Sequence, residues 1–497
     1  MGANSASEGV FPYSSEVVAL PAASIVIPAY NRAEVVRYAI ESVLQQDMSN
    51  WELIVVGDGC TDHSETVVAS FDDPRISWEN LPVNSGGQSA PINRGMAKAK
   101  SEYLFILGQD DFYFADRISH SIAVMETTGA DMLWSPVVLL HAAGERTGPP
   151  DPRRDCLRLD GVTSDGSFQP EMFMSATSWT VRRSTWDRVG EWVHADEAHV
   201  SPSQDWIFRA WRKGVDLRFD PHPCVLAIHA GVRRLTYRRT LNAEHERAWE
   251  WIRDRPSVSR DIVEAVAIQQ ARDLGQSIDS LSLEPAEALE KIAVEQSAVL
   301  GHGGLIGSWT TPRWAPLITR YARLLSRLGI HPLGLQRRVA GRRKGHFVRQ
   351  HRKFTHDVPQ VEGSELPIGR AAGDDLLGFG WHSCEDGWRW THASAAEIVF
   401  ICPANDGNDT LEIDLVPLRS SEFVRLFVNG DLAFERTIEG REKIDVPIPT
   451  NRGGQVNIVI ESSVPTTPKD LGINEDERFL GLCVYSMKLV RRSRQAA

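Results

Sequence analysis

Residues 24–32 read SIVIPAYNR, and residues 51–62 read WELIVVGDGCTD. Each stretch is a short apolar run, typical of a buried strand, that ends in turn-forming residues. Apolar residues at helical spacing separate the two, and the alternation continues with strands predicted at 75–79 and 103–107 and a helix between them at 88–100. Strands that alternate with helices predict an α/β domain built on a mostly parallel sheet with helices on both faces.

Length and composition exclude several classes of protein. The 497-residue chain is too long for one ordinary domain. Hydrophobic residues make up 42% and charged residues 24%, so global disorder is excluded, and no apolar run is long enough to span a bilayer. The first basic residue is Arg32, so we expect no secretory signal. The six cysteines form no C-x-x-C pair, which favours a reducing, cytoplasmic compartment.

Changes of pattern along the chain predict four regions. Residues 1–23 are rich in Ser, Ala and Gly and are expected to form a flexible leader, residues 24–240 the α/β domain, and residues 241–362 a helical region. From residue 363 the chain is β-rich, with short runs at 396–401, 410–415, 423–428, 456–460 and 482–489. The hairpin signal Asn429-Gly430 lies between two of these runs, so residues 363–497 are predicted to form an antiparallel β-sandwich.

The net charge of −12 is unevenly distributed. Residues 298–356, the basic band, contain no Asp or Glu but twelve Lys or Arg, which lie between residues 313 and 353. One helical face of the band is apolar and the opposite face is basic, through Leu317, Ile318, Tyr321, Leu324, Leu325 and Leu328 against Arg320, Arg323 and Arg327.

Two interpretations of the basic band stay open. Residues 313–353 bind an anionic membrane surface, which would make the protein peripheral on the inner face of the plasma membrane, or they pack on their own protein with arginines against acidic neighbours. No nucleic-acid-binding motif accompanies the band, so no nucleic-acid partner is expected.

Acidic residues follow two of the predicted strands. In an open parallel sheet, ligands bind outside the carboxyl ends of the strands, which here include residues 28–31, 57–62 and 108–111. Asp110 and Asp111 are adjacent carboxylates after a buried strand, and such a pair suits Mg²⁺ or Mn²⁺ held together with substrate phosphates. Asp58 is placed to accept hydrogen bonds from a base or ribose. Together these features predict a site for a nucleoside diphosphate.

Motifs in a fixed order resemble family 2 glycosyltransferases with the GT-A fold. They are SIVIPAYNR at 24–32, WELIVVGDGCTD at 51–62, NSGG at 84–87 with INRG at 92–95, and LGQDD at 107–111. The resemblance extends through SATSWTVRR at 175–183 and QDW at 204–206 to about residue 237. Each motif alone is weak evidence, whereas their order and spacing together are strong.

The resemblance implies a role for individual residues. Asp205 stands where the family keeps its catalytic base. The other implied contacts are with the donor and its cation: the nucleobase end at Pro28, Tyr30 and Asp58, the nucleotide at Arg94, the ribose and the metal-bound diphosphate at Asp110 and Asp111, and a further diphosphate or metal contact at His229. For His229, ordinary packing is an equally open alternative.

The implied reaction is the transfer of a sugar, with inversion, from a nucleotide-diphosphate donor to a hydroxyl of a growing surface polysaccharide or glycolipid. The implied partner is therefore a glycan or lipid-linked acceptor. UDP is favoured by family habit. The implied cofactor is Mn²⁺ or Mg²⁺, which would stabilise the charge on the departing diphosphate, while a carboxylate takes the proton of the acceptor hydroxyl. A nucleotidyltransferase is disfavoured because no Gly-rich basic loop follows the first strand.

Two positions depart from the family pattern. Members commonly carry Asp-x-Asp-Asp where this chain has Gly108 ahead of Asp110, and Glu where it has Gln204. The first change predicts weaker or differently arranged metal dependence, and the second leaves Asp205 beside an uncharged neighbour. The alternative from another class is a catalytically silent GT-A-like scaffold whose C-terminal sandwich binds glycan or a partner protein.

Several of these residues also have a structural interpretation. Asn31 and Asp62 have the spacing of helix caps, Asp110 and Asp111 are compatible with a helix N-terminus, and Asp205 with the cap of the helix that follows it. Three tryptophans either line an acceptor pocket or belong to the core: Trp179, Trp186 and Trp206.

The sandwich begins with its own aromatic pattern. Trp381, Glu385 and the run Trp388-Arg-Trp390 resemble the start of β-domains appended to bacterial polysaccharide glycosyltransferases. The aromatic faces either stack on sugar rings or serve core packing and homo-oligomer formation.

Overall fold

The computed structural model describes residues 20–141, 156–163, 166–170, 172, 174–228, 243–253, 321–339 and 341–345. Towards the C-terminus it describes 360, 365–370, 376–377, 381–382, 384–385, 387–391, 395–402, 409–448, 454–463, 465–478 and 480–490. Most of the predicted leader, residues 1–19, therefore lies outside the described residues.

The N-terminal part alternates strands and helices as predicted. Its strands are β1 (Ala23–Ala29), β2 (Trp51–Gly57), β3 (Ile76–Asn80), β4 (Tyr103–Ile106), β5 (Asp111–Tyr113), β6 (Met132–Trp134), β7 (Val137–His141), β8 (Cys156–Asp160), β9 (Trp179–Arg182), β10 (Leu217–Phe219) and β11 (Val225–Ile228). Its helices are α1 (Ala33–Leu44), α2 (Ser64–Ala69), α3 (Ser89–Lys98), α4 (Arg117–Thr128), α5 (Arg183–Val189), α6 (Pro202–Arg212) and α7 (Ala243–Arg253).

The main sheet has the strand order β10-β6-β9-β4-β1-β2-β3. Its neighbours are parallel except where β9 pairs with β4 and β6. Helix α1 buries Val36 and Ile40 on the face that carries Ile25, whereas α3 buries Ile92 on the opposite face, beside Val26. Successive side chains of a strand point to opposite faces, so both faces need a helical cover. The predicted GT-A-type α/β fold is confirmed.

A second sheet, with the order β5-β11-β7-β8, is absent from the sequence prediction. Its strand β5 is only three residues long, too short to show a strand period, and runs antiparallel to β11 with Asp111 opposite Ala227. Residues 107–110 therefore connect the main sheet directly to the second one. The acidic pair lies at this junction.

Three helices are described in the predicted helical region. They are α7, which packs against α1, and two short helices in the basic band, α8 (Ala322–Arg327) and α9 (Pro332–Val339). The remainder of residues 241–362 lies largely outside the described residues. Among the helices that the structure describes, none combines the length and the apolar character needed to cross a bilayer.

The C-terminal part is the predicted antiparallel β-sandwich. Its strands are β12 (Glu365–Leu366), β13 (Arg389–Trp390), β14 (Ala395–Cys402), β15 (Asp409–Pro417), β16 (Ser421–Val428), β17 (Asp431–Glu439), β18 (Glu442–Ile448), β19 (Gly454–Glu461) and β20 (Leu482–Val490). One sheet has the order β12-β20-β15-β18 with β13 beside β20, and the other β14-β19-β16-β17.

Alternating burial along the strands builds the core of the sandwich. In β16, Val424 and Leu426 are buried while Phe423 is exposed, as expected for a sheet with one covered face. Asn429 and Gly430 both have positive φ, 54° and 92°, in the turn between β16 and β17. A two-residue hairpin turn of this kind requires left-handed backbone at both positions, so the predicted hairpin is confirmed. The boundaries at residues 23, 240 and 362 stay predictions.

Candidate active site

The loops after β1, β2 and β4 meet at the carboxyl edge of the main sheet. Pro28 is buried within β1, and Tyr30 follows the strand, half-buried. The backbone N–H of Tyr30 donates to Gln109 Oε1 at 2.9 Å, and that of Asp58 donates to the Ala29 carbonyl at 2.7 Å. The structure therefore brings the predicted nucleobase contacts next to the loop that carries the acidic pair.

Asp58 is held by the loop at 84–87. It is 4% exposed; its Oδ1 accepts from the Ser85 N–H at 3.0 Å, and its carbonyl accepts from Asn84 Nδ2 at 3.0 Å. Burial raises the pKa of the Asp58 carboxyl, and the Ser85 N–H opposes that shift. Gly59 has φ +69°, and a Cβ there would lie 2.4 Å from the Asn84 nitrogen, so glycine lets the loop close over Asp58.

The carboxylates of Asp110 and Asp111 converge over Gly108. A Cβ at residue 108 would lie 2.5 Å from Asp111 Oδ2 and 3.5 Å from Asp110 Oδ1. Strand β5 begins at Asp111, so the interpretation of the pair as a helix N-terminus is wrong. Burial, and after it the charge of Asp110, raises the pKa of Asp111 well above its usual range, whereas the Thr177 hydroxyl opposes that shift. Two neighbouring carboxylates in such surroundings favour a bound cation.

The acidic pair fits a cation that the donor helps to hold. Within the described ranges, no three His, Cys, Asp or Glu side chains are grouped as a complete cation site. Magnesium and similar ions typically use one or two carboxylates together with substrate phosphates, and Asp110 and Asp111 supply two. The predicted further ligand, His229, lies outside the described residues; the described part of β11 ends at Ile228.

Arg32 is a site residue that the sequence reasoning missed. Its Nη1 lies 3.2 Å from Asp110 Oδ2, and its side chain is 5% exposed. Arg32 and Asn31 both have left-handed backbone, with φ 63° and 49°. Outside glycine, such conformations cost about 1–3 kcal/mol each and cluster at functional sites. Arg32 is the last residue of the first motif, so the sequence does place it near the site. The spacing of motifs along the chain does not show the direction of its side chain.

Asn31 does not cap α1, so that structural interpretation is wrong. Its Oδ1 accepts from the Thr61 N–H at 2.9 Å instead. Asp62 accepts from the backbone N–H groups of Ala33 at 3.0 Å and Ser64 at 3.1 Å, the first residues of α1 and α2. The N-cap of α2 is His63, so the interpretation of Asp62 as a helix cap is wrong, although its carboxylate accepts from the first N–H of both helices. Asn31 joins two loops of the site through its bond with Thr61.

Arg94 lies on the exposed side of α3. Its Nε donates to Glu79 Oε1 at 2.8 Å, and Lys98 pairs with the same carboxylate. The structure thus engages Arg94 with the β3 edge rather than with Asp58. One residue earlier, Asn93 bonds both backbone groups of Trp192 at 2.9 Å, which ties α3 to the segment that leads into α6.

Asp205 lies in the first turn of α6 but is not its cap, so that interpretation is wrong. The N-cap is Ser201, whose hydroxyl accepts from the Gln204 N–H at 3.3 Å, and Pro202 begins the helix. Ser201 and Gln204 have the spacing of a capping box, in which Glu and Gln are interchangeable, so the helix start does not explain the departure at residue 204. Asp205 Oδ2 accepts from Arg209 Nε at 2.8 Å, and each side chain is 28% exposed.

Three tryptophans stack on one another in the core of the α/β domain. The Trp206 ring lies 5.6 Å from Trp179 and 5.1 Å from Trp186, and their exposure ranges from 0% to 6%. They form part of the core, so their interpretation as acceptor-pocket residues is wrong. Trp206 follows Asp205 directly along the chain. Trp179 comes two residues after Thr177, whose hydroxyl lies beside the Asp111 carboxyl. The stack therefore packs α6, which carries Asp205, against β9, whose first residue is Trp179.

The basic band packs partly on the segment next to α6. Arg337 Nη1 donates to the His199 carbonyl at 2.9 Å, and the His331 ring lies 4.6 Å from that of Phe208. Burial lowers the pKa of His331 to about 4. Helix α8 and the two residues that flank it, in contrast, expose three large apolar side chains at helical spacing: Tyr321 49%, Leu324 54% and Leu328 67%. One part of the band docks on the protein while another part keeps an apolar face in solvent.

In the sandwich, two of the tryptophans make internal contacts. The Trp381 Nε1–H donates to the Glu397 carbonyl at 2.9 Å, and that of Trp388 donates to Glu385 Oε2 at 3.1 Å. The Trp388 ring lies 5.9 Å from Tyr485. These contacts favour the packing interpretation over sugar stacking.

Comparisons with known proteins agree with this fold. The family described as Glycosyl transferase family 2 matches residues 24–184. A poly(ribitol-phosphate) β-N-acetylglucosaminyltransferase of Staphylococcus aureus is 36% identical over 91 residues, which are 18% of this chain and 28% of that protein. A UDP-Glc:α-D-GlcNAc-diphosphoundecaprenol β-1,3-glucosyltransferase of Escherichia coli is 31% identical over 102 residues, 20% of this chain and 40% of that protein.

The matches are partial on both sides. An uncharacterized glycosyltransferase of Rickettsia typhi is 39% identical over 105 residues, and the chain covers 32% of its length, about a third. Asp205 and Arg209 lie beyond the range that the family matches, 24–184. The similarity therefore includes Asp58, Asp110 and Asp111 but not the predicted base.

Proposed function

We propose that the chain transfers a sugar from a nucleotide-diphosphate donor to a bacterial polysaccharide or glycolipid, because residues 24–184 match the family described as Glycosyl transferase family 2. The observation that carries the proposal is the convergence of the Asp110 and Asp111 carboxylates over Gly108. They share this sheet edge with the buried Asp58. In this proposal Asp58 binds the base or ribose, and the acidic pair lies on the side of the diphosphate.

The proposed donor is a UDP-sugar and the proposed acceptor a lipid-linked or polymeric glycan. The Escherichia coli relative is named for UDP-Glc and a diphosphoundecaprenol acceptor, and the Staphylococcus aureus relative for poly(ribitol-phosphate). The acceptors differ, whereas both names describe transfer to a bacterial glycan or polyol phosphate. We therefore assign the acceptor to that broad class.

Asp110 and Asp111 would hold a divalent cation, Mn²⁺ or Mg²⁺, together with the donor diphosphate. When bound, such a cation acts as a Lewis acid that stabilises the charge on the departing nucleoside diphosphate. The raised pKa of Asp111, due first to burial, supports this assignment, because an opposite charge is what brings such a carboxyl into its ionised form. His229 is a further proposed contact.

Asp205 is the proposed base that takes the proton of the acceptor hydroxyl. Its side chain is 28% exposed, so an acceptor reaches it from solvent, and Arg209 orients its carboxylate through Oδ2. Attack by the activated hydroxyl opposite the departing diphosphate is a single displacement, which inverts the anomeric configuration. One base of this kind contributes about 10²- to 10⁴-fold to the rate.

A panel of donors tests the proposal against a catalytically silent scaffold. The full chain is mixed with UDP-, GDP- and dTDP-sugars, with and without Mn²⁺, and both its melting temperature and the release of nucleoside diphosphate are followed. We expect stabilisation and release with one nucleotide class, dependent on Mn²⁺. If no donor raises the melting temperature or is cleaved to a nucleoside diphosphate, while a glycan still binds, the chain is a catalytically silent scaffold instead.

We further propose that the enzyme works at the cytoplasmic face of the plasma membrane. The exposed Tyr321, Leu324 and Leu328 support contact with lipid, because they lie in a band of 59 residues without Asp or Glu. An apolar face flanked by arginines is the pattern of an interfacial helix on anionic lipid. Association of copies through the sandwich stays a separate prediction.

A further inference from the structure

Within the part of the chain that the structure describes, the guanidinium of Arg32 forms an ion pair with the acidic pair through Asp110. Its Nη1 lies 3.2 Å from Asp110 Oδ2, and 95% of its side chain is buried. A buried arginine beside a carboxylate at a sheet edge is more than a helix start requires, since a residue before a helix needs no cationic side chain. The question is what this charge does at the site.

The backbone fixes the direction in which Arg32 reaches. Arg32 and Asn31 both have left-handed φ, 63° and 49°. On either side the chain is anchored, by Asn31 Oδ1 accepting from Thr61 at 2.9 Å and by the Ala33 N–H donating to Asp62 at 3.0 Å. An uncommon conformation held by flanking hydrogen bonds places the guanidinium against Asp110 rather than in solvent.

The charges at this edge explain why an arginine is useful. Asp58, Asp110 and Asp111 are three carboxylates, and the position where the family commonly has another is Gly108. A diphosphate approaching carboxylates alone meets repulsion. Arginine presents a planar fork of donors that matches phosphate oxygens, so a guanidinium in this place attracts the diphosphate directly.

We propose that Arg32 binds Asp110 while the donor is absent and binds the donor diphosphate when it is present. This inference rests on the proposed function, since it names a further residue of the donor site. The proposal predicts opposite effects of Arg32 on the binding of two ligands, the divalent cation and the donor. Before the donor arrives, Arg32 and a divalent cation compete for Asp110. Once the donor is bound, Arg32 and the cation both hold the diphosphate.

Binding measurements on the full chain test this directly. Affinities for Mn²⁺ alone, and for UDP at saturating Mn²⁺, are measured by calorimetry for the wild type and for Arg32→Gln, Arg32→Lys and Arg75→Gln. Arg75 is a matched control, because it also pairs with an aspartate, Asp73, but precedes β3 at the end of the sheet opposite to the carboxyl edge. We expect Arg32→Gln to bind Mn²⁺ at least threefold more tightly and UDP at least tenfold more weakly. Arg32→Lys keeps the charge, so its Mn²⁺ affinity stays close to that of the wild type.

A double variant isolates the contact with Asp110. In the background of Asp110→Asn, we expect Arg32→Gln to leave the remaining Mn²⁺ affinity unchanged, because the competing pair is already gone. Equal Mn²⁺ and UDP affinities in Arg32→Gln and the wild type overturn the inference. So does weaker binding of both ligands by a variant with wild-type melting temperature.

The failure of the proposed function gives a different result. If the wild type binds no nucleoside diphosphate at all, the donor proposal fails. The Mn²⁺ measurement on Arg32→Gln then still shows whether Arg32 competes for Asp110. If UDP binds normally to the wild type and equally to Arg32→Gln, the donor site stands and only the role of Arg32 is refuted.

Discussion

Arg209 donates its Nε hydrogen to Asp205 Oδ2 at 2.8 Å, across one turn of helix α6. The same guanidinium donates to the carbonyls of Val189 at 2.9 Å and Glu191 at 2.7 Å. Arg209 is thus anchored to the segment before α6, and it orients the carboxylate that it contacts. A base must be both accessible and fixed, and this pair meets the two requirements together.

Replacing the predicted base separates chemistry from binding. We expect Asp205→Asn to lower the rate of sugar transfer by about 10²- to 10⁴-fold, because the amide cannot take the proton of the acceptor hydroxyl. UDP affinity should stay within twofold of the wild type. Initial rates of UDP release and calorimetric UDP binding give the two values. Asp187→Asn, an exposed acid of α5, is the control. Full turnover by Asp205→Asn would refute the assignment.

Gly108 is expected to tolerate no side chain. A Cβ at residue 108 would lie 2.5 Å from Asp111 Oδ2, so Gly108→Ala must displace that carboxylate. A shift of about 1 Å in a catalytic group can cost about 10²-fold in rate, and we expect a loss of this order. Gly108→Asp restores the common family residue yet should be no more active than Gly108→Ala. Sugar-transfer rates of both variants are measured at several Mn²⁺ concentrations. Recovery of activity in Gly108→Asp counts against the steric argument.

Asp58 is predicted to lower the stability of the folded protein at neutral pH while it contributes to UDP binding. Burial raises the pKa of its carboxyl, so its contribution to stability is fully present below the unfolded pKa of about 4 and is lost as pH rises through the higher folded pKa. Asp58→Asn stays neutral and escapes that loss. We therefore expect its melting temperature to exceed that of the wild type by about 1–4 °C at pH 7 but not at pH 4, while UDP affinity falls. Equal melting temperatures at both pH values contradict the prediction.

The apolar face of α8 is tested with vesicles. We expect the wild type to float with vesicles of phosphatidylglycerol but not with phosphatidylcholine, and the binding to weaken as salt rises. Leu324→Ser combined with Leu328→Ser should reduce flotation at least tenfold. Leu432→Ser removes an equally exposed leucine from the sandwich and serves as the control. Flotation of the double variant at the wild-type level excludes lipid contact through this face.

The local elements of this protein were predictable from its sequence. The strands β1, β2 and β4, the helix α3 and the turn at Asn429 and Gly430 follow from short-range patterns, and the structure has them close to the predicted positions. These features depend on neighbouring residues, whose period of two or 3.6 decides which face is buried. The same holds for the place of Asp58 and Asp110, because a residue after a parallel strand lies at the carboxyl edge.

Contacts between distant residues were not predictable in this way. The pairing of Arg32 with Asp110 spans 78 residues, and the stack of Trp179 on Trp206 joins a strand to a helix much later in the chain. The second sheet depends on β5, whose three residues carry no period of their own.

The sequence by itself determined the alternation of the first strands and helices, the acids at the ends of β2 and β4, and the similarity of residues 24–184 to glycosyl transferase family 2. The tertiary structure alone decided which side chains face one another: Arg32 against Asp110, two carboxylates over Gly108, and Arg209 on Asp205. Spacing along a chain fixes the face on which a residue lies. The direction of its side chain depends on backbone dihedrals and on packing partners that only the folded chain brings together.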